Sequence, residues 1–380
     1  MTITEPDWTA HARGLADLLR DRGAIVSPRW HAAFAAVPRH SFIHRVYEQD
    51  SDSRWIHWDA ETHWDRVYAP KTLVTALDDR RGHPEPASSS TNPELMARML
   101  ENLDIHDGHR VLEIGTGTGY NAALLSHRLG DGNVFSVDID ARLVELARKN
   151  LSDAGYRPTL AAVDGGLGLA QHAPYDHILA TCSVPAVPKA WLDQLTDHAS
   201  ILVDLKRATG AGNLVHLHRQ GAGRAEGRFV ARFASFMAMR HNDDDAVAIP
   251  RADDAPGERR FTTEAPTLPW AEPVLWFLAQ LSGLPRDITF GTLLSPERRP
   301  YAATITSADG SWARVDLADR TVTEAGPSSL WLPVERAHRL WTAADHPGWP
   351  RLGLTVDADG RNTVWLDSPA ARQNWVLSAS

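Results

Sequence analysis

Short apolar runs alternate with helical stretches through the middle of the chain. VLEI, VFSVD, TLAAV, YDHILA and SILVDL, between Arg110 and about Asp204, each have the length of a buried strand. Apolar residues at helical spacing fill the gaps over Tyr120–Leu129 and Ala141–Ala154. Strand–helix alternation of this kind predicts an α/β fold, a Rossmann-like doubly wound parallel sheet covered on both faces. Asn213–His218 and Gly227–Ala231 are expected to add antiparallel strands at one edge.

The flanks have a different texture. Residues 1–88 read as helical pieces, Trp8–Arg20 and Pro28–Val37, followed by a long polar stretch, a helical and loop region packing on the central domain of 89–240. In SSTNPELMARMLENL, Asn92 suits a helix cap and Pro93 the first helical position. Residues 241–260 are polar and acidic and are expected to be a linker. Residues 261–380 hold eight of the 14 tryptophans and are expected to form an α+β accessory domain. Two Asp-Gly pairs between apolar runs there predict hairpins, and Leu330, Val334, Ala337 and Trp341 share one helical face.

Composition narrows the function. The net charge of −9 lacks the basic footprint of phosphate-backbone binding, so no nucleic-acid partner is expected. A single cysteine, Cys182, excludes an intrachain disulfide and a Cys-rich zinc site. His216 and His218 share a strand face without an evident third ligand, so no metal is expected. Neither a signal segment nor a bilayer-length apolar run is visible, and a cytoplasmic monomer without membrane contact is expected.

The chemistry concentrates in VLEIGTGTGYNAALL. A buried strand ends at Ile114, and Gly115, Gly117 and Gly119 allow the backbone to turn tightly against a ligand before a helix begins. A dinucleotide fingerprint wants glycine where Tyr120 stands. Gly-x-Gly-x-Gly instead resembles the nucleoside loop of class I methyltransferases. Asp138 closes the next strand, roughly 20 residues on, where a carboxylate accepts from ribose hydroxyls. Asp164–Gly165 end the third strand, where a carboxylate is placed for an adenine amino group. Glu113 is expected at the cofactor's amino-acid end, with Thr116 and Ile139 beside the loop.

VLEIGTGTGY, VDID, VDG and APYDHILATCSVPAVPKAWLDQL, with PRHSFI and SSTNP upstream, follow the motif order of protein-L-isoaspartate O-methyltransferases. The similarity runs from about Phe34 to Arg240, and implies S-adenosyl-L-methionine as cofactor. The family's Ser-x-Pro step is Thr91-Asn92-Pro93 here, and Val163 replaces a usual glycine. About 140 residues lie beyond the end of the ordinary repair enzyme. SSSTNPELMARML and the Trp-rich tail resemble an extended actinobacterial form associated with ribosomally synthesised modified peptides: lanthipeptides, graspetides and lasso peptides. That resemblance implies esterification of an aspartate side chain in a constrained, macrocyclic peptide, with closure to a succinimide (aspartimide) and passage towards isoaspartate. The alternative is an isoaspartyl repair enzyme with an accessory domain. A small-molecule or nucleic-acid methyltransferase is disfavoured because APYDHILATC lacks the Asn/Asp-Pro-Pro-Tyr/Phe cluster. A silent peptide-binding scaffold is disfavoured by the intact glycine loop.

A carboxylate, with a pKa of about 4, is already anionic and needs no strong base to attack a methyl group. Positioning suffices. Spacing alone leaves Thr91 open between a helix start and a site role; the resemblance favours the site, with Ser90 beside it in the catalytic set. Ser89, Asn92, Thr181 and Ser183 are candidate substrate contacts, although capping suits Asn92 and a solvated turn suits Ser89 and Ser90. Cys182 reads as packed rather than nucleophilic, and most tail tryptophans as core with one or two free to grip peptide.

Overall fold

The computed structural model describes residues 8–79, 82–221, 223–241 and 259–377. Its centre is a ten-stranded sheet, whose parallel part is Thr159–Ala162, Val134–Asp138, Val111–Ile114, Tyr175–Val184 and Leu195–Ala208, in that spatial order. Val111–Ile114 is buried throughout, as a strand covered on both faces must be. Its side chains still alternate. Val111 joins the core shared with the amino-terminal helices, and Leu112 and Ile114 join the core on the other face. Tyr120–Leu129 and Ala141–Asp153 supply helices where the 3.6-residue spacing places them.

The chain order along the sheet reverses between Val111–Ile114 and Tyr175–Val184. At such a switch point the loops leaving the two strands diverge and leave a crevice beyond their carboxyl ends. The expected strands over 111–114 and 134–138 match. The two later runs extend further, to 175–184 and 195–208.

The amino-terminal region is more regular than its polar sequence implied. After the helices Trp8–Asp21 and Pro28–Ala36, a four-stranded antiparallel sheet forms from Arg45–Gln49, Trp55–Asp59, Leu73–Asp78 and Glu85–Ser90. These strands are half-solvated and carry little alternation. Cross-strand pairing makes them, not hydrophobic period. Glu85–Ser90 leads directly into the helix Pro93–Asn102, whose cap is Asn92.

Most of the linker expected at 241–260, residues 242–258, lies outside the described residues. Beyond it, Arg259–Thr262, Thr321–Ala325, Trp312–Asp316, Pro300–Ser307 and Ile288–Leu294 form an antiparallel sheet. The helices Pro273–Leu281 and Leu332–Ala343 pack with it, and both expected hairpins are present. The second hairpin, Leu352–Val356 with Asn362–Leu366, belongs to the central sheet, because Leu352–Val356 pairs with Arg224–Phe229. Asn374–Leu377 completes that edge. One hydrophobic core therefore runs from Leu112 through Phe229 to Trp276, Phe277 and Trp349.

The junction has a close fit at Gly353. A Cβ there would come within 2.2 Å of the Trp365 ring and 2.6 Å of the Gly227 carbonyl. The indole lies across the glycine and donates to Thr355 Oγ1 at 3.1 Å. Gly353→Ala should cost about 2 kcal/mol by overpacking. Urea unfolding followed by tryptophan fluorescence and by circular dichroism should give coincident transitions in native and variant protein. Two separated transitions would show that the tail folds by itself.

Candidate active site

The switch point opens a cleft of about 580 Å³. Its floor is the carboxyl ends of the parallel strands: Ile114, Val137, Thr181 and Cys182. The glycine loop forms one side. Gly115, Gly117 and Gly119 have φ of 100°, 53° and 90°, a left-handed backbone that disfavours any Cβ. At Gly115 a Cβ would stand 2.6 Å from Thr181 Oγ1, whose hydroxyl donates to the Gly115 carbonyl at 2.8 Å. Gly119 meets the next helix instead, with Ala147 and Leu151 at 3.2 Å from its would-be Cβ. Two glycines thus expose main chain to the cleft, and the third lets two helices close.

Asp138 lines the cleft and braces the loop, accepting from the Gly117 N–H at 3.0 Å and the Asp140 N–H at 3.1 Å. Ile139 and Gly165 line it as well. Tyr120 does not plug it. Its ring turns into the amino-terminal core against Phe34 and Phe42, with the Arg39 guanidinium 5.8 Å above it.

The opposite wall comes from Glu85–Ser90 and the start of the helix after it. Ser88, Ser89 and Thr91 line the cleft, with Leu95 one helical turn further on. Behind them Arg39 is fully buried. Its guanidinium donates to the carbonyls of Val67, Ala69, Lys71 and Thr91, at 2.6–3.5 Å, and to Ser90 Oγ at 3.4 Å. Burial pulls this guanidinium down to about 10, so it stays charged at neutral pH.

Several sequence expectations change place. Ser90, expected in the catalytic set, is buried with its hydroxyl on Arg39 and stands outside the cleft lining. Asn92 caps its helix by accepting from the Glu94 N–H at 2.9 Å. Ser183 is buried, with its hydroxyl 3.5 Å from the Phe236 carbonyl. Glu113 does not reach the cleft either. It lies in a closed network, taking Asn121 Nδ2 at 2.7 Å and Ser136 Oγ at 2.6 Å, while Ser136 also meets Thr116 at 2.7 Å. This network stiffens the loop from beneath. Asp164 sits just behind Gly165, its carboxylate bonded to Gly166 N–H and to His241. His216 and His218 have ring centres 4.3 Å apart and planes tilted by 46°, and no group of three or more metal-ligating side chains comes together among the described residues.

Sequence reasoning missed the segment Ser235–His241, all of which lines the cleft. It bridges to Ser183 at Ala238, with main-chain bonds from Ser183 to Met237 and from Met239 to Ser183, both 2.8 Å. The buried Asp204 accepts the Phe236 N–H at 2.8 Å, and Lys206 bonds Ser235 and the Phe236 carbonyl. The only signal was the run of apolar residues in FASFMAM after the last expected strand. Cys182 is in the cleft, where burial pushes its thiol up to about 12, so it is no thiolate nucleophile. None of the eight tail tryptophans lines the cleft, and none is exposed.

A reversed α/β sheet carrying this glycine loop and acidic strand tip has the architecture of a class I methyltransferase. The profile of the family described as protein-L-isoaspartate(D-aspartate) O-methyltransferase matches residues 10–238. The chain belongs to that family of carboxyl O-methyltransferases. It is 34% identical over 175 residues to the protein-L-isoaspartate O-methyltransferase of Methanosarcina mazei, covering 46% of this chain and 62% of that protein. Against protein-L-isoaspartate O-methyltransferase 1 of Archaeoglobus fulgidus it is 34% identical over 205 residues, covering 53% of this chain and 83% of that protein. A solved structure of a protein-L-isoaspartate O-methyltransferase superposes with a TM-score of 0.57 at 22% identity, covering 93% of this chain and 99% of that one. That fold likeness therefore extends into the carboxyl-terminal third.

The buried Glu113 yields a pH prediction. Burial raises its carboxyl from 4.5 to about 7, opposed by the bonds from Ser136 and Asn121. The unfolded chain loses this proton first, so the contribution is complete below about pH 4.5 and is lost as pH rises through about 7. Glu113→Gln should flatten the fall in stability across that window, gaining on the order of 2 kcal/mol over native protein at pH 8 relative to pH 5. Parallel stability curves in urea would contradict this.

Proposed function

We propose that this protein uses S-adenosyl-L-methionine to esterify the carboxylate of isoaspartyl residues in peptides or proteins. The observation that carries the proposal is the family match over residues 10–238 together with the switch-point cleft, walled by Gly115, Gly117 and Asp138 on one side and Thr91 on the other. The residues fit the cofactor. A cleft of about 580 Å³ is within the range of nucleoside-sized ligands, and a Cβ at Gly117 would project across it towards Ser88 Oγ and the Ser89 carbonyl, 3.7 and 3.9 Å away. Asp138 would take the ribose hydroxyls, and Ile139 and Gly165, which also line the cleft, would lie against the base.

When bound, S-adenosyl-L-methionine supplies a sulfonium methyl group. The protein's own residues position and desolvate the acceptor. The carboxylate is its own nucleophile, so no residue needs to remove a proton from it. Thr91, which lines the cleft with Ser89, would donate its hydroxyl to the non-attacking oxygen. Arg39 holds the main chain of Thr91 from behind, which limits where its side chain can start into the cleft. Cleft walls of Leu95, Phe236 and Met239 keep water from the reacting atoms.

A finer reading is esterification of an aspartate side chain in a constrained peptide, giving a succinimide. It rests on the resemblance of SSSTNPELMARML and the tail to the extended, peptide-associated form. The curated relatives favour the isoaspartyl reading. Incubating the full chain and methyl-labelled cofactor with a linear isoaspartyl peptide and a macrocyclic aspartyl peptide separates the two. Preferential labelling of the linear peptide supports isoaspartyl methylation. Preferential labelling of the ring, with gain of about 14 Da and then loss of methanol, replaces it. On the preferred peptide, Thr91→Val should lower kcat/KM by about 30-fold and leave cofactor affinity within about twofold, while Thr91→Ser keeps most activity. An unimpaired Thr91→Val enzyme would remove this hydroxyl from the mechanism.

A further inference from the structure

The cleft does not end at its outer wall. Two of its lining residues belong to the amino-terminal four-stranded sheet: Ser89 lies in Glu85–Ser90, and Thr72 just precedes Leu73–Asp78. Residues directly opposite one another in register share a face of a sheet. Ser89 is opposite Val74, Val74 opposite Tyr47, and Tyr47 opposite His57, so one row crosses all four strands from the cleft outwards. Thr72, two residues before Val74, belongs to the same face. The other face is the sealed one. Val46 and Leu73 pack in the amino-terminal core, and Ser90 meets Arg39.

The row is a surface rather than a second core. Ser89, Val74 and Tyr47 are half-buried, and His57 is exposed. The Tyr47 and His57 rings stand 6.0 Å apart with planes tilted by 52°, within the spacing at which aromatic groups pack. Both ends of the face are pinned. At one end the Trp55 indole N–H donates to the Pro84 carbonyl at 2.9 Å, tying the outermost strand to the turn before Glu85–Ser90. At the other, Arg45 pairs with Asp59 at 3.5 Å. Between them Val74, Tyr47 and His57 offer apolar and aromatic contact.

Strands lie about 4.8 Å apart, which puts Tyr47 about 10 Å and His57 about 14 Å from Ser89. An extended peptide advances about 3.4 Å per residue, so a chain whose acceptor residue sits at Ser89 and Thr91 reaches these rings about three to four residues away. We propose that this face is a secondary subsite for the polypeptide substrate, taking an aromatic side chain three to four residues from the methylated position on one flank. The occupant is the substrate's own flank because the row is continuous with the cleft. The inference rests on the proposed methylation of a peptide carboxylate, and goes beyond it by naming the sequence context that is selected.

The test is steady-state methylation of linear isoaspartyl peptides by the full chain. The flanks are glycine and serine, with a single tryptophan moved from the second to the sixth position on either side and a control that lacks it. Tryptophan at the third or fourth position of one flank should lower KM about fivefold with kcat unchanged, and the gain should fade by the sixth. His57→Ala and Tyr47→Ala should each remove most of this gain while leaving the control peptide within about twofold. Tyr47→Phe, which keeps the ring, should retain it. A purely structural role for the ring pair would slow the control and tryptophan peptides alike. That result, or a gain that persists in both alanine variants, overturns the proposal. If native protein methylates none of the peptides, the isoaspartyl reading fails and the subsite falls with it. Turnover of the control with no response to tryptophan at any position overturns the subsite alone.

Discussion

The structure turns on a buried guanidinium. Arg39 is out of water and pairs with no carboxylate among the described residues, so its charge is balanced by dipoles: four carbonyl groups and one hydroxyl. A charge in that position is costly unless its donors are met, and here the two terminal nitrogens are met while Nε is buried without a partner. The requirement is reciprocal. The guanidinium fork draws the segment 67–71 and the step at Ser90–Thr91 together. Through the Tyr120 ring the same residue touches the helix that succeeds the glycine loop. Both walls of the cleft are thus referred to one side chain from the amino-terminal region.

This explains how a site can be assembled from three distant stretches of chain. The glycine loop is held by the buried Glu113–Ser136–Thr116 network, the Ser89–Thr91 wall by Arg39, and the Ser235–His241 wall by Asp204 and Lys206. In each case a buried polar group lies just outside the cleft and fixes the main chain that lines it.

The legible parts of the sequence were those where local pattern and tertiary fate coincide. VLEI and VFSVD are short, continuous and apolar because both faces are covered, and the glycines at 115 and 117 are where bare main chain lines the cleft. The antiparallel sheet of residues 45–90 was illegible because its strands are half-solvated and lack an alternating pattern. Ser90 was misplaced for a related reason: within Glu85–Ser90 the side chains alternate, and reading the serines as a loop hid the fact that Ser90 faces Arg39. Glu113 shares a strand with the loop, yet its side chain points into the core, which only the Ser136 and Asn121 partners reveal. The Ser235–His241 arm has no regular secondary structure, so periodicity had nothing to report.

The pairing of Arg224–Phe229 with Leu352–Val356 has a consequence for biogenesis. While the chain is being synthesised, the nucleotide-binding strands leave the ribosome with that edge unsatisfied, and it stays so until the entire five-stranded sheet has been made. An open strand edge is a template for foreign pairing. The nascent protein therefore carries a window of vulnerability to misassembly and to chaperone capture, which closes only when the last hairpin docks.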